Sequence, residues 1–283
     1  MQQYKQEWFG NIRGDILAGI VVCLALFPEV IGFMIVAGVP PIVGVYATFF
    51  ITAIAAFFGS SKGMISAAAG SVALVLAHLV AEYGIQYLFA ATILAGILQV
   101  ALGSLKVGTL MRYIPKPVMT GFVNGLGIMM FTSQLDHFQG SLLLPLLGLL
   151  GIAIIFLFPR VTNKIPAPIV AIFVITAIVL GFGLDVKTLG DMGSISTDLP
   201  RFGIPAVPMT VETLRIIFPT ALSVAIVGLV ESLLTAQLVD EITEEKSDKN
   251  QETLSQGLGN VVYGFFGGIA GSGMIGQTII NLD

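Results

Sequence analysis

Residues 267–276 read Gly267-Gly268-Ile269-Ala270-Gly271-Ser272-Gly273-Met274-Ile275-Gly276, and residues 63–71 read Gly63-Met64-Ile65-Ser66-Ala67-Ala68-Ala69-Gly70-Ser71. Both are runs of small residues opening a short apolar segment, and both lie in a chain too apolar for water. Of 283 residues, 55% are hydrophobic and 11% charged, with a mean hydropathy of +0.94. A soluble domain is about 25% charged, so lipid is the solvent that this surface requires. The 33 glycines are spread through the apolar stretches rather than gathered in linkers. That suits helices packing backbone to backbone in a bilayer and excludes a disordered chain.

Outward from these runs, a hydrocarbon crossing takes about 20 mostly apolar residues, and that ruler predicts an all-α integral membrane protein of ten segments, several of them short. Their cores are Ile16 to Ala37, Ile42 to Phe58, Met64 to Val80, Leu88 to Leu105, Val118 to Gln134, Leu142 to Phe158, Ile169 to Leu184, Leu214 to Leu238, Leu258 to Phe266 and Met274 to Ile280. A polar stretch from Asp185 to Val211, with Pro200, Pro205 and Pro208, separates seven segments from three. Seven is odd, so the second group enters from the opposite side. With the N-terminus in the cytoplasm, ten of the 13 Lys and Arg residues fall on the cytoplasmic side, as the positive-inside rule asks. The run Asp240 to Glu252 reads as a solvated cytoplasmic loop.

The two runs occupy matching positions, the third segment of each group. Short, glycine-interrupted segments so placed are the mark of transporters built from inverted repeats, whose sites lie at midplane between discontinuous helices. The first N–H groups of a helix have no internal partner and carry about half a positive charge, so two such ends facing one another make an anion site without a lysine. The Gly121/Gly125 and Gly264/Gly268 spacings are read as packing surfaces only.

Acids inside a span are costly and usually functional, and two lie well inside: Glu29, after Pro28, and Glu231, in the first segment of each group. Glu231 and Thr235 are four apart on one helix face, where carboxylate and hydroxyl are candidates to hold a proton or a sodium ion. Glu29 is either a second such residue or a carboxyl bonded to backbone freed by Pro28. His78 reads as a packing or rim residue, and His137 falls in a loop. Two histidines and the lone Cys23 make no metal site and no internal disulfide. A net charge of −4 with no basic run excludes nucleic acid as partner. Gly271-Ser272-Gly273 follows Ala270 rather than the glycine of a Gly-x-Ser-Gly nucleophile loop, so no enzyme and no cofactor are expected.

These residues together resemble the sulfate permease (SulP) family of anion transporters. The resemblance is carried by Gly14-Asp15-Ile16-Leu17-Ala18-Gly19-Ile20, Pro28-Glu29, Ala37-Gly38-Val39-Pro40-Pro41-Ile42-Val43-Gly44-Val45-Tyr46, Gln256-Gly257-Leu258-Gly259-Asn260, Phe266-Gly267-Gly268-Ile269-Ala270-Gly271 and Ile275-Gly276-Gln277-Thr278-Ile279-Ile280-Asn281. It implies two inverted seven-helix repeats, an anion between helices three and ten, elevator-like movement of a core against a gate, and often a STAS domain and a homodimer. On this chain it implies a first repeat plus three helices of the second across 1–283, with the last helices and any STAS domain absent. The family's anion site falls at Ala69, Gly70 and Ser71 and at Gly273, Met274 and Ile275, and its carboxylate at Glu231 with Thr235 one turn on. Ala69 stands where many relatives have threonine, which leaves more of the binding to backbone amides. Ile275 stands where sodium-coupled bicarbonate relatives have a hydroxyl, which leaves sodium one ligand short and favours a proton. The expectation is a multi-pass cell-membrane symporter of a small inorganic anion, sulfate or bicarbonate, with an anion channel or a non-transporting fragment as alternatives.

Overall fold

The computed structural model describes residues 9–113, 115–135, 142–162, 165, 167–186 and 200–282. Ten α-helices are found among them: α1 (Ile12–Ala37), α2 (Pro41–Phe58), α3 (Gly70–Tyr83), α4 (Ile85–Ser104), α5 (Lys116–Gln134), α6 (Leu143–Leu157), α7 (Ala167–Gly181), α8 (Val211–Thr243), α9 (Lys249–Gly264) and α10 (Ile275–Leu282). Two three-residue strands interrupt them, β1 (Ser66–Ala68) and β2 (Gly271–Gly273). Five helical stretches are long and apolar enough to cross a membrane, namely α1, α2, α4, Leu143–Arg160 and α8, and α3 and α7 are shorter apolar helices. Their outer faces carry large apolar side chains, with Phe49 at 69%, Phe173 at 70% and Leu180 at 75% exposure, a surface that hydrocarbon accepts and water does not. The chain is a multi-pass membrane protein.

Helix ends follow local chemistry. Helix α1 stops at Gly38, whose φ of 70° suits a residue without Cβ, and Val39 N–H closes the turn on Met34 O at 3.0 Å. Helix α2 begins with Pro41 in its first turn, where the missing N–H costs nothing. Thr210 caps α8 through the Thr213 amide, and Asp248 caps α9 through the Asn250 and Gln251 amides.

Helices α1 to α4 and α8 to α10 form one body around the strand pair, while α6 and α7 pair with each other and touch that body lightly. No described residue of α5 is buried, and only Gly151 of α6 and Ala167 and Ala171 of α7 are. Within the main body α4 and α9 meet backbone to backbone. A Cβ on Gly96 would stand 2.6 Å from Val261 N, and one on Gly257 would stand 2.7 Å from Val100 N. Gly264 belongs to the same contact, closing on Ile93, but a Cβ on Gly121 or Gly125 meets nothing within 4 Å. That second spacing therefore makes no close contact here.

The larger departure from the sequence reading is α9. It starts at Lys249 rather than near Leu258, and α8 runs on through Thr243, so most of the expected loop 240–252 is helix. Its polar face is turned inward: Glu252, Gln256 and Asn260 are all at most 1% exposed. An apolar ruler passes over such a helix because its polar groups are paired with protein rather than with water.

Candidate functional site

Strands β1 and β2 pair antiparallel, with Ser66 opposite Gly273, Ala67 opposite Ser272 and Ala68 opposite Gly271. The two small-residue runs are thus extended segments lying side by side, and the helices they open leave in opposite directions. Extended backbone at membrane depth survives only if every polar group finds a partner. One short strand pair cannot supply them all, and side chains of the surrounding helices do the rest. From α2, Thr52 Oγ1 donates to Ser66 O at 2.6 Å and Thr48 Oγ1 accepts from Ala68 N at 3.3 Å. From α8, Ser232 Oγ accepts from Gly273 N at 2.9 Å and Thr235 Oγ1 donates to Gly273 O at 3.1 Å. From α9, Asn260 Oδ1 accepts from Gly271 N at 2.9 Å, and Gln256 Nε2 donates to Ser66 Oγ at 2.6 Å. From α10, Thr278 Oγ1 accepts from Ile65 N at 3.0 Å.

The network continues away from the strands. Glu252 Oε2 accepts from Ser60 N at 2.9 Å and Ser61 N at 3.2 Å, and its Oε1 accepts from Gln256 Nε2 at 3.0 Å. The buried carboxylate thereby fixes the loop that feeds β1. Beyond Asn260, Gln99 of α4 accepts from its amide at 2.6 Å and donates to Ala225 O at 3.3 Å.

Helix α3 follows β1 and α10 follows β2, each starting from extended backbone. Ala69, the residue before α3, has φ −108° and ψ 142° and offers no side-chain cap, so the amides of Gly70, Ser71 and Val72 have no partner within the helix. The first amides of α10, on Ile275, Gly276 and Gln277, stand likewise; the next, Thr278 N, bonds Met274 O at 3.0 Å. Both helix starts open on one cavity of about 260 Å³, lined by Gly70 and Ser71, by Met274, Ile275, Gly276 and Gln277, by Glu29 and Phe33 of α1, by Glu231 and Leu234 of α8 and by apolar residues of α5.

Of the residues expected from sequence, Gly70, Ser71, Met274, Ile275, Glu29 and Glu231 line this cavity. Ala69, Gly273 and Thr235 stand behind it. The Gly273 amide is taken by Ser232, and Met274 N–H bonds Ile65 O at 2.8 Å, so the amides open to the cavity from this side begin at Ile275 rather than at Gly273. Thr235 shares a helix face with Glu231, yet its hydroxyl donates to the Glu231 and Gly273 backbone carbonyls and not to the carboxyl group. The Glu231 carboxyl is instead held by two serines: Oε2 accepts from Ser71 Oγ at 2.5 Å and from Ser272 Oγ at 2.7 Å.

Glu29 is not bonded to backbone freed by Pro28; its Oε2 accepts from Gln277 Nε2 on α10. Ser272, Gly276 and Gln277 are the participants that sequence reasoning missed. Ser272 had a signal, as the only hydroxyl within the 267–276 run. His78 is exposed and lies 3.3 Å from Glu82, and His137 lies outside the described residues. Among the described residues no group of three or more His, Cys, Asp and Glu stands ready for a metal.

Comparisons with known proteins converge on one family. The model of the Sulfate permease family matches residues 12–144 and 141–283. The chain is 58% identical over 280 residues to "Putative sulfate transporter YbaR" of Bacillus subtilis (strain 168), covering 98% of this chain and 58% of that protein. It is 29% identical to "Bicarbonate transporter BicA" of Picosynechococcus sp., covering 100% of this chain and 56% of that one. Among solved structures, the transmembrane domain of a cyanobacterial bicarbonate transporter BicA superposes with a TM-score of 0.84 at 28% identity, over 97% of this chain and 77% of the other. The chain therefore spans a little over half the length of the curated relatives it matches. On the family match and the cavity's setting between α3 and α10, this chain belongs to the sulfate permease family.

Proposed function

We propose that this chain forms the substrate-holding part of a secondary active transporter for a small inorganic anion of the sulfate or bicarbonate class, with a proton on Glu231 as the coupling ion. The observation that carries the reading is the convergence of two helix N-termini and the Glu231 carboxyl on one cavity. The unpartnered amides attract an anion. The carboxylate beside them repels one until it takes up a proton, and this makes anion and proton binding mutually favourable. A proton is favoured over sodium because the Thr235 hydroxyl is committed to two backbone carbonyls, and Ser71 and Ser272 present their hydrogens to the carboxyl group. Elevator-like movement is supported by the light contact of α6 and α7 with the main body, and a cytoplasmic N-terminus by the loop charges.

The test is uptake of labelled sulfate and bicarbonate by the purified protein in liposomes, with Glu231→Gln as the informative variant. Glutamine keeps an oxygen for Ser71 and Ser272 and mimics the protonated acid. Anion exchange at equilibrium should survive, while accumulation driven by a proton gradient should disappear. Wild-type accumulation by the variant refutes the coupling role. Flux without saturation, and without acceleration by anion on the far side, identifies a channel instead.

A further inference from the structure

We propose that Glu29 sets the anion specificity of this cavity, selecting a monovalent oxyanion that carries an O–H, such as bicarbonate, over sulfate; this rests on the anion-binding reading above. Glu29 on α1 is half-buried and lines the cavity together with Glu231 of α8, whereas no Lys, Arg or His lines it among the described residues. Phe33 lies one turn after Glu29 on the same face of α1. A Cβ on Gly70 would stand 2.6 Å from Phe33 Cε1 and 2.9 Å from Met130 Cε, so apolar side chains close over the start of α3. The side chains of Ser71, Ser272 and Gln277 are turned to the two carboxyl groups. The polar partners left for an anion are therefore the first amides of α3 and α10 and the carboxyl groups themselves.

Those partners suit one chemistry of anion better than another. The amides only donate, and an ionised carboxylate only accepts. Sulfate at neutral pH has lone pairs on every oxygen and no hydrogen, so it satisfies the amides but sets lone pairs against an ionised carboxylate beside it. Bicarbonate satisfies both: its unprotonated oxygens take the amides, and its O–H donates to the carboxylate in a charge-assisted bond. The shared hydrogen then stands between the two negative groups. Charge points the same way, because whatever protons the acids hold, sulfate brings a further negative charge to a wall with acids and no basic side chain, and uncompensated buried charge is costly.

Of the two acids, Glu29 is the one placed to read the hydrogen. Glu231 receives both serine hydroxyls on Oε2 and is the proton site of the reading above. Glu29 receives only the Gln277 side-chain amide, also on Oε2, and its Oε1 takes no hydrogen bond from the described residues. Gln277 belongs to the first turn of α10, the turn whose amides face the anion. Its bond therefore holds the Glu29 carboxyl beside that turn with one acceptor to spare, and an anion seated on the α10 amides meets that acceptor with whichever group it has to offer.

Titration calorimetry of the purified protein at pH 8 with the potassium salts of bicarbonate, sulfate and nitrate, without sodium, tests the assignment. Nitrate shares the charge and planar shape of bicarbonate and lacks the hydrogen, so it separates the O–H from charge and size. The wild type should bind bicarbonate at least about tenfold more tightly than either other anion, or 1.4 kcal/mol. Glu29→Gln keeps an acceptor for Gln277 but removes the charge and adds donors, so nitrate and sulfate should gain on bicarbonate and the preference should be lost. Glu29→Met, which offers no hydrogen-bonding group, should lose it as well and gives a second readout where the glutamine variant does not fold. Nitrate or sulfate binding to the wild type as tightly as bicarbonate overturns the proposal whether or not a variant folds, and so does a preference that survives in either variant. Failure of the wild type to bind any of the three anions overturns the underlying anion reading instead, which separates the two failures.

Discussion

Gly271→Ala places one methyl group where two strands touch. A Cβ at this position would lie 2.3 Å from Ala67 O, 2.8 Å from Ala67 C and 3.2 Å from Ala68 N, all backbone atoms. The first distance is about 1.2 Å inside the ~3.5 Å of an ordinary contact, and no side chain can rotate away to relieve it. The strands must part, and Gly271 must leave Asn260, which bonds both its N–H and its carbonyl. Overpacking of this kind costs about 1–3 kcal/mol, and each buried polar group left unpaired costs about 1–3 kcal/mol more. The expected loss of stability is about 3–9 kcal/mol, a fall in melting temperature of roughly 6–18 °C at about 2 °C per kcal/mol. Gly276→Ala is the matched control, since its Cβ meets nothing within 4 Å. It should melt within about 0.5 kcal/mol of the wild type, as surface substitutions do. Fluorescence-detected melting in detergent measures both variants. If Gly271→Ala melts with the wild type, the strand contact is looser than described and the backbone accounting built on it fails.

Gly276→Leu should keep the fold and fill the cavity from the α10 side, weakening sulfate or bicarbonate binding at least about tenfold, or 1.4 kcal/mol; calorimetric affinity equal to wild type would place the anion elsewhere. Glu252→Ala strips an acceptor from the Ser60 and Ser61 amides and from Gln256, and at about 1–3 kcal/mol for each orphaned donor it should cost roughly 3 kcal/mol or more in a melting assay. Glu252→Gln retains one accepting oxygen and should cost less, so equal losses would show that the carboxylate does not act through these bonds.

Much of this architecture could be read from residues in order. The first eight segments are apolar because a lipid-facing helix must announce itself in composition, and their helices lie within about five residues of the expected bounds, except that α3 starts at Gly70 rather than Met64 because Ser66–Ala68 is strand. The runs at 63–71 and 267–276 pointed to the site because only small residues let two backbones and a ligand meet. Their pairing as strands was not legible. An antiparallel bridge between residues some 200 positions apart leaves no local period, and its support comes from Thr48, Thr52, Ser232, Gln256 and Asn260, each unremarkable in its own segment. Glu252 misled for a related reason: a carboxylate bound by backbone amides looks, in sequence, like one bound by water. Ser272 and Gln277 were missed because their partners, Glu231 and Glu29, sit on other helices.

The inward polar face of α9 bears on how the protein enters the bilayer. Apolar helices such as α1 can leave the insertion machinery one at a time, whereas a charged residue such as Asp, Lys or Arg at the centre of a helix costs about 2.5–3.5 kcal/mol on the insertion scale. Helix α9, with Glu252, Gln256 and Asn260 along one side, has little to gain from lipid until α4 and the loop after α2 stand ready with their glutamine, glycine and serine partners. Its passage from the ribosome into the membrane is therefore an act of assembly, in which helices made early serve as the solvent for one made late.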